Sequence, residues 1–177
     1  MSVFLANEQN QRTVDETGLV ALARLVMKAE GVHESEVSIL LVEPTVMAGL
    51  NARFLGEQRP TDVLAFPIDD DPPASGPPGG PVGPPGFAGG RAGREDEDDL
   101  DESDDEPWLL GDVVLCPAYA AEQAAQAGQT LAAELELLTV HGILHLCGFD
   151  HAEPEEEQAM RARTDELLAE WRGRAHS

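Results

Sequence analysis

Short apolar runs rich in β-branched residues alternate along the chain with longer stretches whose apolar positions recur every three or four residues. The two periods predict strands and helices in turn. Val3 to Ala6 (VFLA) reads as a short strand. Over 14–30, Leu19, Leu22, Ala23 and Val26 share one helical face, and Gly31 supplies a stop. Val37 to Val42 (VSILLV) is a second strand. Pro44 then suits the first turn of a helix that carries Met47, Leu50 and Phe54 on one side as far as Gly56. Asp62 to Phe66 is a third strand ended by Pro67, and Trp108 to Cys116 is a fourth. Pro117 opens an alanine-rich helix to 127, and two more helices follow over 131–147 and 155–172. Strands alternating with helices, then a run of helices, imply an α+β fold: a small, mostly parallel four-stranded sheet covered by helices.

Between the third and fourth strands the pattern stops. Residues 72–93 are mostly Pro and Gly, and the acids after them repel one another. We therefore expect 69–106 to be a disordered insertion in a single domain spanning 1–177. That segment holds thirteen acids against Arg91 and Arg94, so −11 of the formal net charge of −23 belongs to it. The remainder is still acidic, so any contact with nucleic acid must rely on a few well-placed arginines. No run approaches the roughly 20 apolar residues of a membrane span, and MSVFLANEQN lacks the features of a signal peptide, so a cytoplasmic protein without a membrane partner is expected. Cys116 and Cys147 sit in apolar sequence and read as reduced core thiols.

The chemistry is concentrated in HGILHLCGFDH, from His141 to His151. Positions four apart on a helix project from one face, so His141 and His145 can share an ion. Gly148 can adopt a left-handed conformation that ends the helix, after which His151 can approach the same ion. Three imidazoles fill three corners of a tetrahedral zinc and leave the fourth open, the catalytic rather than the structural pattern. The implied cofactor is one Zn2+ per chain, on a late helix. His33 and His176 lie outside the spacing and read as surface residues. Asp150 either accepts the free N–H of a ligating histidine or caps the helix after it. Asp62 and Asp112 each sit at or in an apolar strand, where a carboxylate bonds a backbone turn or supports the site. Met160 with Leu167 and Leu168 reads as core.

The spacing also fits metzincin proteases, but those place Glu directly after the first histidine, and this chain has Gly142 there. A glycine inside a helix suggests close approach by another backbone or by substrate. We expect Gly142 to face a crevice, where a Glu would repel incoming phosphate.

HGILHLCGFDH resembles the YbeY-family signature HGxLHLxGYDH, with Phe149 in the tyrosine place. Leu50 to Pro67 (LNARFLGEQRPTDVLAFP) is similar to the family's LNxxYRxxxxPTDVLSFP region, and Leu110 to Cys116 (LGDVVLC) to its LGDIxIC strand. The resemblance implies an α+β fold and a zinc-dependent, single-strand-specific endoribonuclease. It implies action in maturation of ribosomal RNA, at the 3′ end of 16S, and in ribosome quality control, with ribosomal subunit proteins as further partners. It also implies a functional arginine near the metal. LNARF puts arginine at 53 and phenylalanine at 54, so Arg53 is the first candidate and Arg59 the second. Either would stabilise charge developing on a phosphate. Attack by the RNA 2′-OH rather than by water stays open, as do two other functions: a zinc-stabilised assembly factor without catalysis, and a metzincin-like peptidase lacking the usual Glu.

Overall fold

The computed structural model describes residues 1–56, 61–67, 108–150 and 152–175. Its elements follow the expected order: β1 (Ser2–Asn7), α1 (Glu16–Ala29), β2 (Ser35–Leu41), α2 (Pro44–Leu55), β3 (Val63–Pro67), β4 (Trp108–Leu115), α3 (Pro117–Gln126), α4 (Leu131–Leu146) and α5 (Pro154–Ala175). Asp15 caps α1 through a side-chain oxygen that accepts from the Gly18 N–H, and prolines open α2 and α3.

The four strands lie in the order β1-β2-β4-β3. β1 with β2 and β2 with β4 are parallel, while β3 runs antiparallel to β4. The sheet is therefore mixed but mostly parallel, as expected: two of its three pairings are parallel, and the edge strand β3 is antiparallel to its neighbour. A parallel neighbour needs a crossover, which α1 provides between β1 and β2, while the whole connection from β3 to β4 lies outside the described residues.

Side-chain alternation divides the core between the two faces of the sheet. Val37, Ile39 and Leu41 of β2, with Val113 and Leu115 of β4, face the main core under α1, α4 and α5. Leu64 and Val114, with Val42 and Cys116 just past β2 and β4, pack with Met47 of α2 in a smaller cluster on the other side. α4 touches α1, α3, α5, β3 and β4. It is enclosed nearly all round, which is why apolar residues occupy most of its positions. Ile143 and Leu144 are fully buried there, each worth about 1.5–3 kcal/mol relative to exposure. Met160, Thr164, Leu167 and Leu168 form the inward stripe of α5, so the three apolar residues expected in the core are there.

The LGD stretch of β4 has a structural cause. Glu36 pairs with Leu109 and Val37 with Gly111, so Leu110 is an extra residue in the ladder. Gly111 takes φ 149°, and a Cβ there would lie 2.3 Å from the Phe66 carbonyl oxygen and 2.8 Å from Leu146. Only glycine admits both the backbone conformation and that closeness.

The expected insertion, 69–106, lies outside the described residues. Its two flanks are fixed by the antiparallel register, in which Pro67 pairs with Gly111. A short loop can therefore join them, because loop length adds little closure free energy. Replacing 72–104 by about five Gly and Ser residues should leave a single cooperative urea transition of unchanged midpoint. A lost or broadened transition would show that the segment supports the domain.

Candidate metal centre and adjoining cleft

α4 begins at Thr130, whose hydroxyl accepts from the Ala133 N–H at 3.1 Å. It ends in a Schellman turn. Gly148, at φ 95°, donates its N–H to the His145 carbonyl at 3.0 Å, and Phe149 donates to the Leu144 carbonyl at 3.0 Å. Phe149 packs back on the main core, which fixes the exit of the chain.

His141 and His145 stand one turn apart on this enclosed helix, both half-buried. Their Nε2 atoms are 3.2 Å apart and their rings meet edge to face at 79°. Metal–nitrogen bonds of about 2.0–2.1 Å in a tetrahedron separate neighbouring nitrogens by about 3.3 Å. The pair therefore fits two corners of a zinc site. His151 and Arg59 lie outside the described residues, and among the described residues no third His, Cys, Asp or Glu completes a cluster with the pair. Asp150 is exposed. Neither thiol suits the ion. Burial pushes Cys147 up to about 12, and it raises Cys116 as well, so both stay protonated at neutral pH.

Arg53 stands exposed at the end of α2, its guanidinium carbon 5.5 Å from the Phe54 ring, which in turn packs on Phe66 at 4.8 Å. α2 packs through Met47 on the smaller cluster, and α4 brings the two histidines together. Asp62 makes the turn contacts expected of it: its Oδ1 accepts from Val63 N–H at 3.0 Å and from the Thr61 hydroxyl at 3.3 Å. His33 is exposed, as its place in a turn suggests.

Gly142 does not face a crevice. It is buried, and a Cβ there would lie 2.7 Å from Val113 Cγ1. The neighbour that requires glycine is the sheet rather than substrate, because position 142 is rotated about 100° from His141 toward β4. A metzincin-type Glu at this place would point into the core.

One acid escaped the sequence reading. Glu134 is seven residues before His141, on the stripe Glu134, Leu138, His141, His145, and it is only 8% exposed. Burial, and secondarily the charge of Asp62, raise its carboxyl above the ordinary range. An acid in register with the histidines was the available signal. Glu134, Asp62 and His141 line one cleft of about 390 Å3 between β3, α4 and α5.

A family model described as endoribonuclease YbeY matches residues 4–172. Endoribonuclease YbeY of Frankia casuarinae is 47% identical over 174 residues, covering 98% of this chain and 76% of that protein. The Salinispora tropica protein of the same name is 47% identical over 173 residues, covering 97% of both chains. That of Mycobacterium tuberculosis is 44% identical over 172 residues, covering 97% of this chain and 84% of its own. The solution structure of TM1509 from Thermotoga maritima superposes with a TM-score of 0.55 at 22% identity, covering 97% of this chain and 93% of that one, a likeness of fold. A match that runs through every element of the sheet and both histidine-bearing turns of α4 leaves one assignment: the chain belongs to the YbeY family of endoribonucleases.

Proposed function

We propose that this enzyme cleaves single-stranded RNA by zinc-dependent hydrolysis, in the cytoplasm, during maturation of the 16S ribosomal RNA 3′ end and ribosome quality control. The zinc would be held by His141, His145 and His151. The observation that carries the metal reading is the 3.2 Å approach of the two Nε2 atoms on a helix locked by packing on every side. The RNA reading is supported by the relatives, which are endoribonucleases by name.

The protein's own groups have defined tasks in this scheme. With a metal held by Nε2 of both histidines, the ring proton of each would reside on Nδ1, where it can hold ring orientation by hydrogen bonding. When bound, zinc supplies Lewis acidity toward a phosphate oxygen and lowers the pKa of water. Arg53 or Arg59 would direct guanidinium N–H groups at the extra negative charge of the phosphate. The acidic body limits nonspecific RNA binding, so contacts with ribosomal subunit proteins would help hold the enzyme on its substrate. No helix among the described residues is long and apolar enough to cross a membrane.

The test is metal analysis of protein purified without a histidine tag, with single-turnover assays on single-stranded RNA and on a casein-type peptide. We expect about one zinc per chain, RNA cleavage that chelator abolishes and zinc restores, and no peptide cleavage. RNA that is bound but uncut by zinc-loaded protein would replace this reading with that of an assembly factor. Peptide cleavage would replace it with a protease.

A further inference from the structure

The Glu134 carboxyl has no hydrogen-bond or ion-pair partner among the described residues, although the residue is only 8% exposed and lines the cleft beside His141. Burial disfavours the ionised form of such a carboxyl unless a ligand supplies donors. The cleft does not suit a phosphate at its depth. Asp62 adds a second carboxylate, and Arg161, the cation beside them, is already held by Glu157 Oε1 at 3.0 Å. Its other walls include Val63, Leu138 and Met160, which are apolar.

Distance then chooses among ligands. Seven residues of helix place Glu134 about 10 Å along α4 from His141. Helical side chains lean the same way, toward the N-terminus, so the two tips keep about that spacing and one phosphate or ion does not bridge them. A nucleotide can, because its phosphate and the far edge of its base are separated by a span of that order. The apolar walls suit the ring, and the carboxylate suits N–H donors on its edge. Guanine presents two adjacent donors, N1–H and N2–H, that match a carboxylate bidentately and with charge assistance. Adenine and cytosine present one amino group beside an acceptor. Uracil flanks its single N–H with two carbonyls.

We propose that this cleft is a nucleobase subsite in which Glu134 accepts N1–H and N2–H of the guanine belonging to a nucleotide whose phosphate lies at the histidines. The proposal rests on the RNA-cleavage reading and gives it a base preference. It also accounts for an acidic cleft beside a site for anions, since the base rather than the backbone enters it.

The test uses the full chain with zinc and four probes that it cannot cleave: guanosine, inosine and uridine 5′-monophosphates, and inorganic phosphate. Binding is followed by NMR titration of the backbone amides. Inosine lacks only the 2-amino group, so guanosine monophosphate should bind about tenfold more tightly than inosine monophosphate, with uridine monophosphate and phosphate weaker still. Glu134→Gln should bring the guanosine and inosine affinities together. The comparison on the parent protein needs no variant, so a misfolded Glu134→Gln would not rescue or sink the idea. Equal affinities for guanosine and inosine monophosphates in the parent overturn the subsite. So does magnesium alone occupying the cleft with no guanosine preference, which would assign it to a cation. Cleavage of a uridine-only strand and of one carrying a single guanosine separates the levels. Both cut equally removes the subsite and leaves the RNA reading, whereas neither cut removes the RNA reading itself.

Discussion

Alanine in place of His145 should strip the metal and lower single-strand RNA cleavage by more than about 100-fold, since removing only a partner of a metal ligand already costs 10- to 100-fold. His145 supplies one of the two nitrogens that stand 3.2 Å apart, and its loss leaves only two of the three proposed ligands. The fold should persist, because His145 is only half-buried while Ile143, Leu144 and Leu146 beside it carry the packing of α4. A bound metal also stabilises the native state by mass action, so the thermal midpoint of the parent should fall toward that of the variant when chelator is added, with the variant itself unmoved. His33→Ala is the matched control. It removes an exposed imidazole and should alter neither metal content nor cleavage. A His145→Ala protein that retains parental zinc by mass spectrometry would refute the centre, whatever its activity.

The parts of this molecule legible in its sequence are those governed by local rules. Helix and strand periods locate the nine elements of the described residues, because α1 and α5 each bury one stripe and β2 and β4 are flanked by turn residues. Spacing alone put His141 and His145 on one face, since four residues and 3.6 per turn leave little freedom. Pairing direction was less accessible. Which way β3 runs depends on the connection between β3 and β4, and a strand's own residues do not encode it. Glu134 was illegible for a related reason. The stripe it shares with the histidines can be drawn on a helical wheel, but the wheel does not reveal that β3 and α5 close over that stripe to make a cleft.

The same gap between local pattern and packing explains Gly111 and Gly142. Both lie in stretches similar to family motifs, and both would naturally be assigned to the chemistry. The structure assigns both to closeness between layers. Gly111 admits the Phe66 carbonyl and Leu146, and Gly142 admits Val113. They let α4 sit low on β4, so the histidine pair is positioned from beneath by two residues that touch no substrate.

Gly142→Glu should therefore act through stability, and strongly. An alanine at 142 already requires movement, because its Cβ would meet Val113 Cγ1 at 2.7 Å and Cγ2 at 3.1 Å. Overpacking of that kind costs about 1–3 kcal/mol, against about 1 kcal/mol gained from better helix propensity. Gly142→Ala should thus be neutral to about 2 kcal/mol destabilising, and a Val113→Ala partner should relieve it. Glutamate adds an unpaired carboxylate between α4 and β4, where breaking charge compensation costs about 3–5 kcal/mol. That is a large part of the 5–15 kcal/mol typical of a domain. Val113→Ala makes room for a methyl group but supplies no partner for a charge, so it should not rescue the glutamate. Urea midpoints of the parent, of Val113→Ala and of the four Gly142 variants measure each of these terms. Were Gly142→Glu to unfold at the parental midpoint and lose only RNA cleavage, residue 142 would face the incoming phosphate after all, and the close packing of α4 on Val113 would be wrong.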